Sequence, residues 1–181
     1  MRAMNKSIEG VSSLLKRALS RQTDCEPKRE NAFSFLDAGV LIDDDLQLVL
    51  TQTANAQHTR GWAPHYVFQM VRVTDRARMG SISLRIGETH FLTMYAGQIG
   101  YGVEPAFRGH HYAARSVQLL LPLARRHGLN PLWITCNPDN IASRRSCEIA
   151  GAQLIEVVDL PTDCDMYRAG ERRKCRYRIE L

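Results

Sequence analysis

QIGYGVEPAFRGHHYA, from Gln98 to Ala113, reads as a strand, a basic glycine turn and the first residues of a helix. Strand alternation puts Ile99, Tyr101 and Val103 on one face and Gly100 and Gly102 on the other. Two glycines on one strand face admit either a ligand or close packing against a helix. A helix start leaves its first N–H groups unpaired and carries partial positive charge, which makes it an anion site. Arg108 and Arg115 flank this one, so a pyrophosphate-bearing ligand is the expectation.

Downstream, the spacing predicts a helix over 111–127. Arg125, Arg126 and His127 suit its negative end, Gly128 suits a left-handed cap, and Pro122 removes one internal hydrogen bond. Leu132 to Cys136 reads as a buried strand stopped by Asn137-Pro138-Asp139. A second helix, from Ile141 to Ala150, is capped by Asn140 and ended by Gly151. Strand, helix, strand is a crossover, so the strands at Gln98 and Leu132 should run parallel. Ligands of such sheets gather at strand carboxyl ends, here near Glu104 and Asn137.

Upstream, Leu46–Leu50 is a strand, and Thr51–Pro64 is polar and ambiguous, with short helical turns as one reading. Tyr66–Val73 and Met79–Ile86 form an antiparallel pair. Gln153–Leu160 and Lys174–Leu181 are the last two strands, joined by a long loop with Pro161 and Gly170. In the final strand Lys174, Arg176 and Arg178 share one face, expected to be solvated, opposite Cys175, Tyr177 and Ile179. The fold class is therefore α/β, a mixed, mostly antiparallel sheet with one parallel pair, flanked by helices. Residues 1–40 read as an appendage with a short amphipathic helix (Ser7–Ser20) and a polar linker (Arg21–Asn31). Residues 41–181 read as the single domain.

Composition narrows the class. The chain has 181 residues, 44% hydrophobic and 24% charged, which is ordinary for a globular protein. No apolar run is long enough to span a bilayer, and Lys6, Glu9, Lys16 and Arg17 interrupt the first twenty residues. No membrane role and a cytoplasmic address are the expectations. Five scattered cysteines without a C-x-x-C spacing signal neither a disulfide framework nor a metal site. A net charge of +5 permits a polyanion, but no nucleic-acid-binding motif accompanies it.

Two blocks together resemble the GCN5-related N-acetyltransferase (GNAT) superfamily. Arg108 and Ala113 match the ends of its coenzyme A loop, Gln/Arg-x-x-Gly-x-Gly/Ala. Gly109 matches a frequent extra glycine, and His111 stands in place of the middle one. Asn140-x-x-Ser143-x-Arg145-x-x-Glu148-x-x-Gly151 resembles the family's second helix, closest to the branch that acetylates ribosomal-protein N-termini. The resemblance spans about Gln98 to Ala152. It implies a GNAT fold over 41–181 and an acetyl-coenzyme A-dependent N-acetyltransferase, in which a primary amine of a protein N-terminus, peptide or small molecule attacks the thioester directly. It also implies a binding set of Val103, Arg108, Gly109, His110, His111, Tyr112 and Ala113, with Asn140 and Ser143 beside the pantetheine arm.

Glu104 is the candidate general base, acting through water, or else a residue that caps the following turn or pairs with an arginine; His65, Glu88 and His90 are the alternative bases. Many relatives place a tyrosine seven residues after the helix-start Asn. Cys147 stands there, as the candidate general acid or as a small apolar filler; Tyr101 serves only if it points to the thioester. The expected partner is an amine acceptor, and relatives are often homodimers. A catalytically weak acyl-coenzyme A sensor and a nucleic-acid binder using the last strand are the competing classes.

Overall fold

The computed structural model describes residues 33–57 and 61–181. The helix and linker expected within 1–31 lie outside the described residues. Eight strands form one sheet: β1 (Leu41–Asp43), β2 (Leu46–Ala54), β3 (His65–Arg72), β4 (Arg78–Arg85), β5 (Ile99–Val103), β6 (Leu132–Cys136), β7 (Gln153–Asp159) and β8 (Arg173–Ile179). Their order is β1-β2-β3-β4-β5-β6-β8-β7, and every adjacent pair is antiparallel except β5–β6. The mixed sheet expected from the crossover is present.

The crossover helix α1 (Tyr112–Arg126) and the following helix α2 (Ile141–Ile149) pack near one another beside this sheet. Ala113, Val117, Leu120 and Ala124 recur at helical spacing and are buried, so α1 lays an apolar stripe on the sheet. It meets Tyr66, Phe68, Ile82, Leu84 and Ile134, all at most 2% exposed. The helix continues through Pro122, which is on its exposed side. Asn140 Oδ1 accepts the Ser143 N–H at 3.0 Å and so starts α2 as its sequence predicts.

Three expectations are corrected. Thr51–Pro64 forms no helical turn among its described residues; β2 continues to Ala54 and Gln57 bridges Trp62. The loop after β7 contains a one-turn helix, α3 (Asp165–Arg168), whose first turn is capped by Cys164. The cationic face of β8 is solvated only at Arg178: Lys174 and Arg176 are 8% and 7% exposed. A single π-helical turn, Leu92–Ala96, supplies part of the cover. Arg176 stacks 4.1 Å from the Trp133 ring, donates from Nε to the Thr93 carbonyl and pairs with Glu156. Long cationic stems can pack while their heads find partners.

The packed unit begins at Phe33. Phe35 meets Tyr66 edge-on, Phe33 stacks on His127, and the Leu36 N–H donates to the Tyr66 hydroxyl at 2.7 Å. Tyr66 Oη is also 2.7 Å from His127 Nε2. Burial, then the nearby Arg126 charge, holds His127 below its usual 6.5. The unfolded chain therefore takes up this proton first as pH falls, so the stability His127 contributes is present above about pH 6.5 and lost below it. A thermal-melting series from pH 7.5 to 5 should show a falling midpoint, with a shallower fall in His127→Gln. Equal slopes would contradict this.

Candidate functional site

Gln98 fixes where the parallel pair begins. Its N–H donates to the Trp133 carbonyl at 2.8 Å, and its side-chain Oε1 accepts the Trp133 N–H at 2.7 Å. Its Nε2 donates to the Gly87 carbonyl, so a fully buried amide is satisfied at both ends. One residue later the strands part: Ile99 with Ile134 is the sole aligned pair between β5 and β6. Beyond it, β5 keeps its ladder to β4 only, as far as Gly80 with Val103. The sheet therefore opens on the carboxyl side of β5.

Two clefts flank this opening. The larger, about 520 Å³, lies between the carboxyl end of β5 and the N-terminal ends of α1 and α2. The smaller, about 230 Å³, is lined by Arg85, Tyr95, Thr135, Met166, Glu171 and Lys174 among others. Tyr101, Asn140 and Ser143 line both. Those three residues are the partition between the clefts.

In the larger cleft the chain turns through a 3-10 helix, Pro105–Phe107, into α1. Gly109 has φ 89° and His111 has φ 59°. His111 thus adopts the left-handed conformation that a glycine would take there, at a cost of roughly 1 kcal/mol. Alternation of handedness fans successive N–H groups toward one side, an anion-binding concavity. Among the described residues no protein acceptor takes the N–H groups of residues 109–114; the first that is bonded is Arg115, to the His111 carbonyl. Nothing lies within 4 Å of a Cβ built on Gly109 or Gly102, so the cleft floor is open there. Arg108 lies at the same mouth, its Nε donating to the Val103 carbonyl at 3.1 Å.

Of the residues expected from the sequence, Val103, Arg108, Gly109, His111, Tyr112, Ala113, Asn140 and Ser143 are brought together in this cleft. His110 is not in its lining; it is exposed, with its ring 5.7 Å from that of Tyr112. Arg115 does not face the cleft. It is engaged by Asp43 and Asp45, the latter at 2.8 Å, and Asp45 also accepts from the Tyr112 hydroxyl. That bond, ahead of Arg115, holds the Asp45 carboxyl below its usual range. The network ties the first turn of α1 to the β1–β2 hairpin.

Glu104 lines neither cleft: its side chain is exposed, 3.9 Å from Arg78. Cys147 is 1% exposed and also lines neither. A hydrogen bond shared with Cys136 and then burial push its thiol up, so it holds its proton. Directly before it stands Tyr101, whose hydroxyl is 2.9 Å from Ser143 Oγ and 3.6 Å from Cys147 Sγ. Burial pushes the Tyr101 hydroxyl up, which keeps it a neutral donor. The sequence alone could not aim Tyr101, because its direction depends on how α2 docks. Glu171 was missed altogether; it is the one carboxylate in the smaller cleft among the described residues, in a loop without a motif.

Known proteins share the fold. The family model of the acetyltransferase (GNAT) domain matches residues 31–153. No curated protein matches the chain. RimL, a ribosomal L7/L12 alpha-N-protein acetyltransferase solved with coenzyme A, superposes with a TM-score of 0.57 at 14% identity, over 78% of this chain and 98% of its own. A Vibrio cholerae protein named as a ribosomal-protein-serine acetyltransferase gives 0.56 at 15%, over 78% and 97%. The ribosomal-protein-S5-alanine acetyltransferase of Vibrio fischeri gives 0.51 at 16%, over 68% and 64%. At these identities the likeness is one of fold.

The network at the start of α1 has a measurable weight. Arg115→Ala leaves two carboxylates facing each other and should lower unfolding free energy by about 1–3 kcal/mol in urea titrations. An unchanged midpoint would show that the hairpin does not hold the helix.

Proposed function

The chain belongs to the GNAT acetyltransferase family, and on that premise we propose that it moves an acetyl group from acetyl-coenzyme A to a primary amine of a protein N-terminus, peptide or small molecule, by direct attack of the amine. The observation that carries this reading is the fan of unpaired N–H groups at 109–114, set beside the open edge of β5. Such a fan suits a diphosphate, and Arg108 adds a charged donor at its mouth. The edge near Val103 suits the extended pantetheine arm, with Asn140 and Ser143 across the gap. Acetyl-coenzyme A supplies an acetyl group already activated as a thioester.

This chain's own residues would do the rest. A backbone N–H at Val103, on an edge that no strand covers, polarises a carbonyl placed against it. Tyr101, at the partition between the clefts, is the proton donor for the departing sulfur; burial keeps its hydroxyl protonated at neutral pH. The amine enters through the smaller cleft, and Glu171 accepts its proton, directly or through water. Cys147 keeps Tyr101 in place by filling the space behind it. The sensor reading draws support from the placement of Glu104 and Cys147 away from both clefts. Tyr101 gives the transfer reading a donor that the sensor reading does not need.

Release of free coenzyme A with a panel of primary amines tests this directly; tight donor binding with no release for any amine would select the sensor. Tyr101→Phe should lower kcat about 10²-fold while the coenzyme A dissociation constant stays within a factor of three. Near-wild-type turnover would remove Tyr101 from the chemistry. Arg108→Glu reverses charge at the diphosphate and should weaken coenzyme A binding about tenfold, or 1.4 kcal/mol, by calorimetry. An unchanged constant would take Arg108 out of the site.

A further inference from the structure

Lys174, Arg176 and Arg85 stand on the sheet face opposite α1, and the first two have carboxylate partners. Arg176 pairs with Glu156, and Lys174 lies 2.5 Å from Glu171 and 2.7 Å from Asn137 Oδ1. The third, Arg85 at the end of β4, has none among the described residues. Among the described residues its guanidinium makes one hydrogen bond, from Nη1 to the Gly97 carbonyl at 3.0 Å. A guanidinium offers five N–H donors, so most of its capacity is unused. It is half-buried, lowered in pKa by that burial, and lines the smaller cleft. A cation partly removed from water without a counter-charge is costly, and such a group marks a place where an anion belongs.

The neighbouring backbone makes room for it. A Cβ at Gly100 would stand 3.0 Å from Arg85 Nη2 and 3.3 Å from Nη1. Glycine on β5 therefore leaves the guanidinium its seat beside the opening of the sheet. Tyr101, the next residue, lines the same cleft and the larger one.

We infer that the amine acceptor carries a carboxylate, which Arg85 binds in the smaller cleft while the amine points toward the partition at Tyr101 and Asn140. Planar carboxylates take an arginine fork through two parallel hydrogen bonds, which fixes orientation as well as charge. Glu171 stands in the same cleft with Oε2 held by Lys174, and its other oxygen is the acceptor for an ammonium, so both ends of a zwitterion are met. The volume of about 230 Å³ is below the range usual for drug-sized ligands, and suits a molecule the size of an amino acid. Free amino acids and their close analogues are the substrate class. The transfer itself rests on the acetyltransferase reading above; the carboxylate site does not.

The test pairs chemistry with binding. Glycine, alanine, serine and aspartate are compared with their carboxamides as acceptors, in the full-length protein with acetyl-coenzyme A. The carboxamide amines are less basic and more often neutral at pH 7.5, so reactivity alone favours them. The expected result is at least tenfold higher kcat/KM for the acids, a preference lost in Arg85→Gln and partly restored in Arg85→Lys. In parallel, calorimetry with coenzyme A present follows N-acetylalanine against N-acetylalaninamide. The acid should bind at least tenfold more tightly, and Arg85→Gln should abolish the difference. Acetylation without a carboxylate preference, or with one that Arg85→Gln preserves, overturns the inference and leaves the acetyltransferase reading standing. Arg85-dependent binding of N-acetylalanine with no turnover of any amine does the reverse. Failure of the acid to bind more tightly than its amide, or to react better than its amide where amines are turned over, overturns the inference.

Discussion

The double hold of Gln98 on Trp133 is the constraint from which the site follows. Backbone N–H and side-chain amide together pin the start of β5 to β6. Only Ile99 with Ile134 continues that alignment, and the strands then separate. A parallel pair held at one end and free at the other leaves backbone groups without partners inside a folded domain. Such groups are tolerated where a ligand or water can satisfy them. The two clefts and the three residues that line both follow from this separation.

Rigidity around the opening comes from unlike sources on the two faces. On one, α1 lies on an apolar core and its first turn is tied to β1–β2 through Tyr112, Arg115, Asp43 and Asp45. On the other, a π-helical turn holds Thr135 and Arg176 through its carbonyls. Charges that look solvated in one dimension are here consumed by structure. Arg85 differs because β4 delivers it to a cleft where no carboxylate among the described residues pairs with it, Glu171 being held by Lys174.

Much of this was legible in the sequence. Caps and glycines announce the helices: Asn140 bonds Ser143, and Gly128 follows α1 with φ 77°. Local chemistry fixes such features, so a single chain reveals them. The loop of the larger cleft was legible for the same reason, even where His111 replaces a glycine, because the backbone there reaches the left-handed region anyway. What stayed hidden depends on contacts distant in sequence. Arg115 looks like a phosphate ligand until Asp43 and Asp45, some seventy residues earlier, take it. Arg176 looks exposed until residues 92–96 cover it, and Tyr101 acquires meaning only from the docking of α2. Glu104, beside the loop in sequence, turns outward to Arg78.

A crystal structure of the protein with coenzyme A bound tests the account most directly. The diphosphate should rest on the N–H groups of residues 109–114, with the thiol arm running along β5 past Val103 and its sulfur facing the Tyr101 hydroxyl. A diphosphate bound elsewhere, or an arm that leaves the gap between β5 and β6 empty, would contradict it.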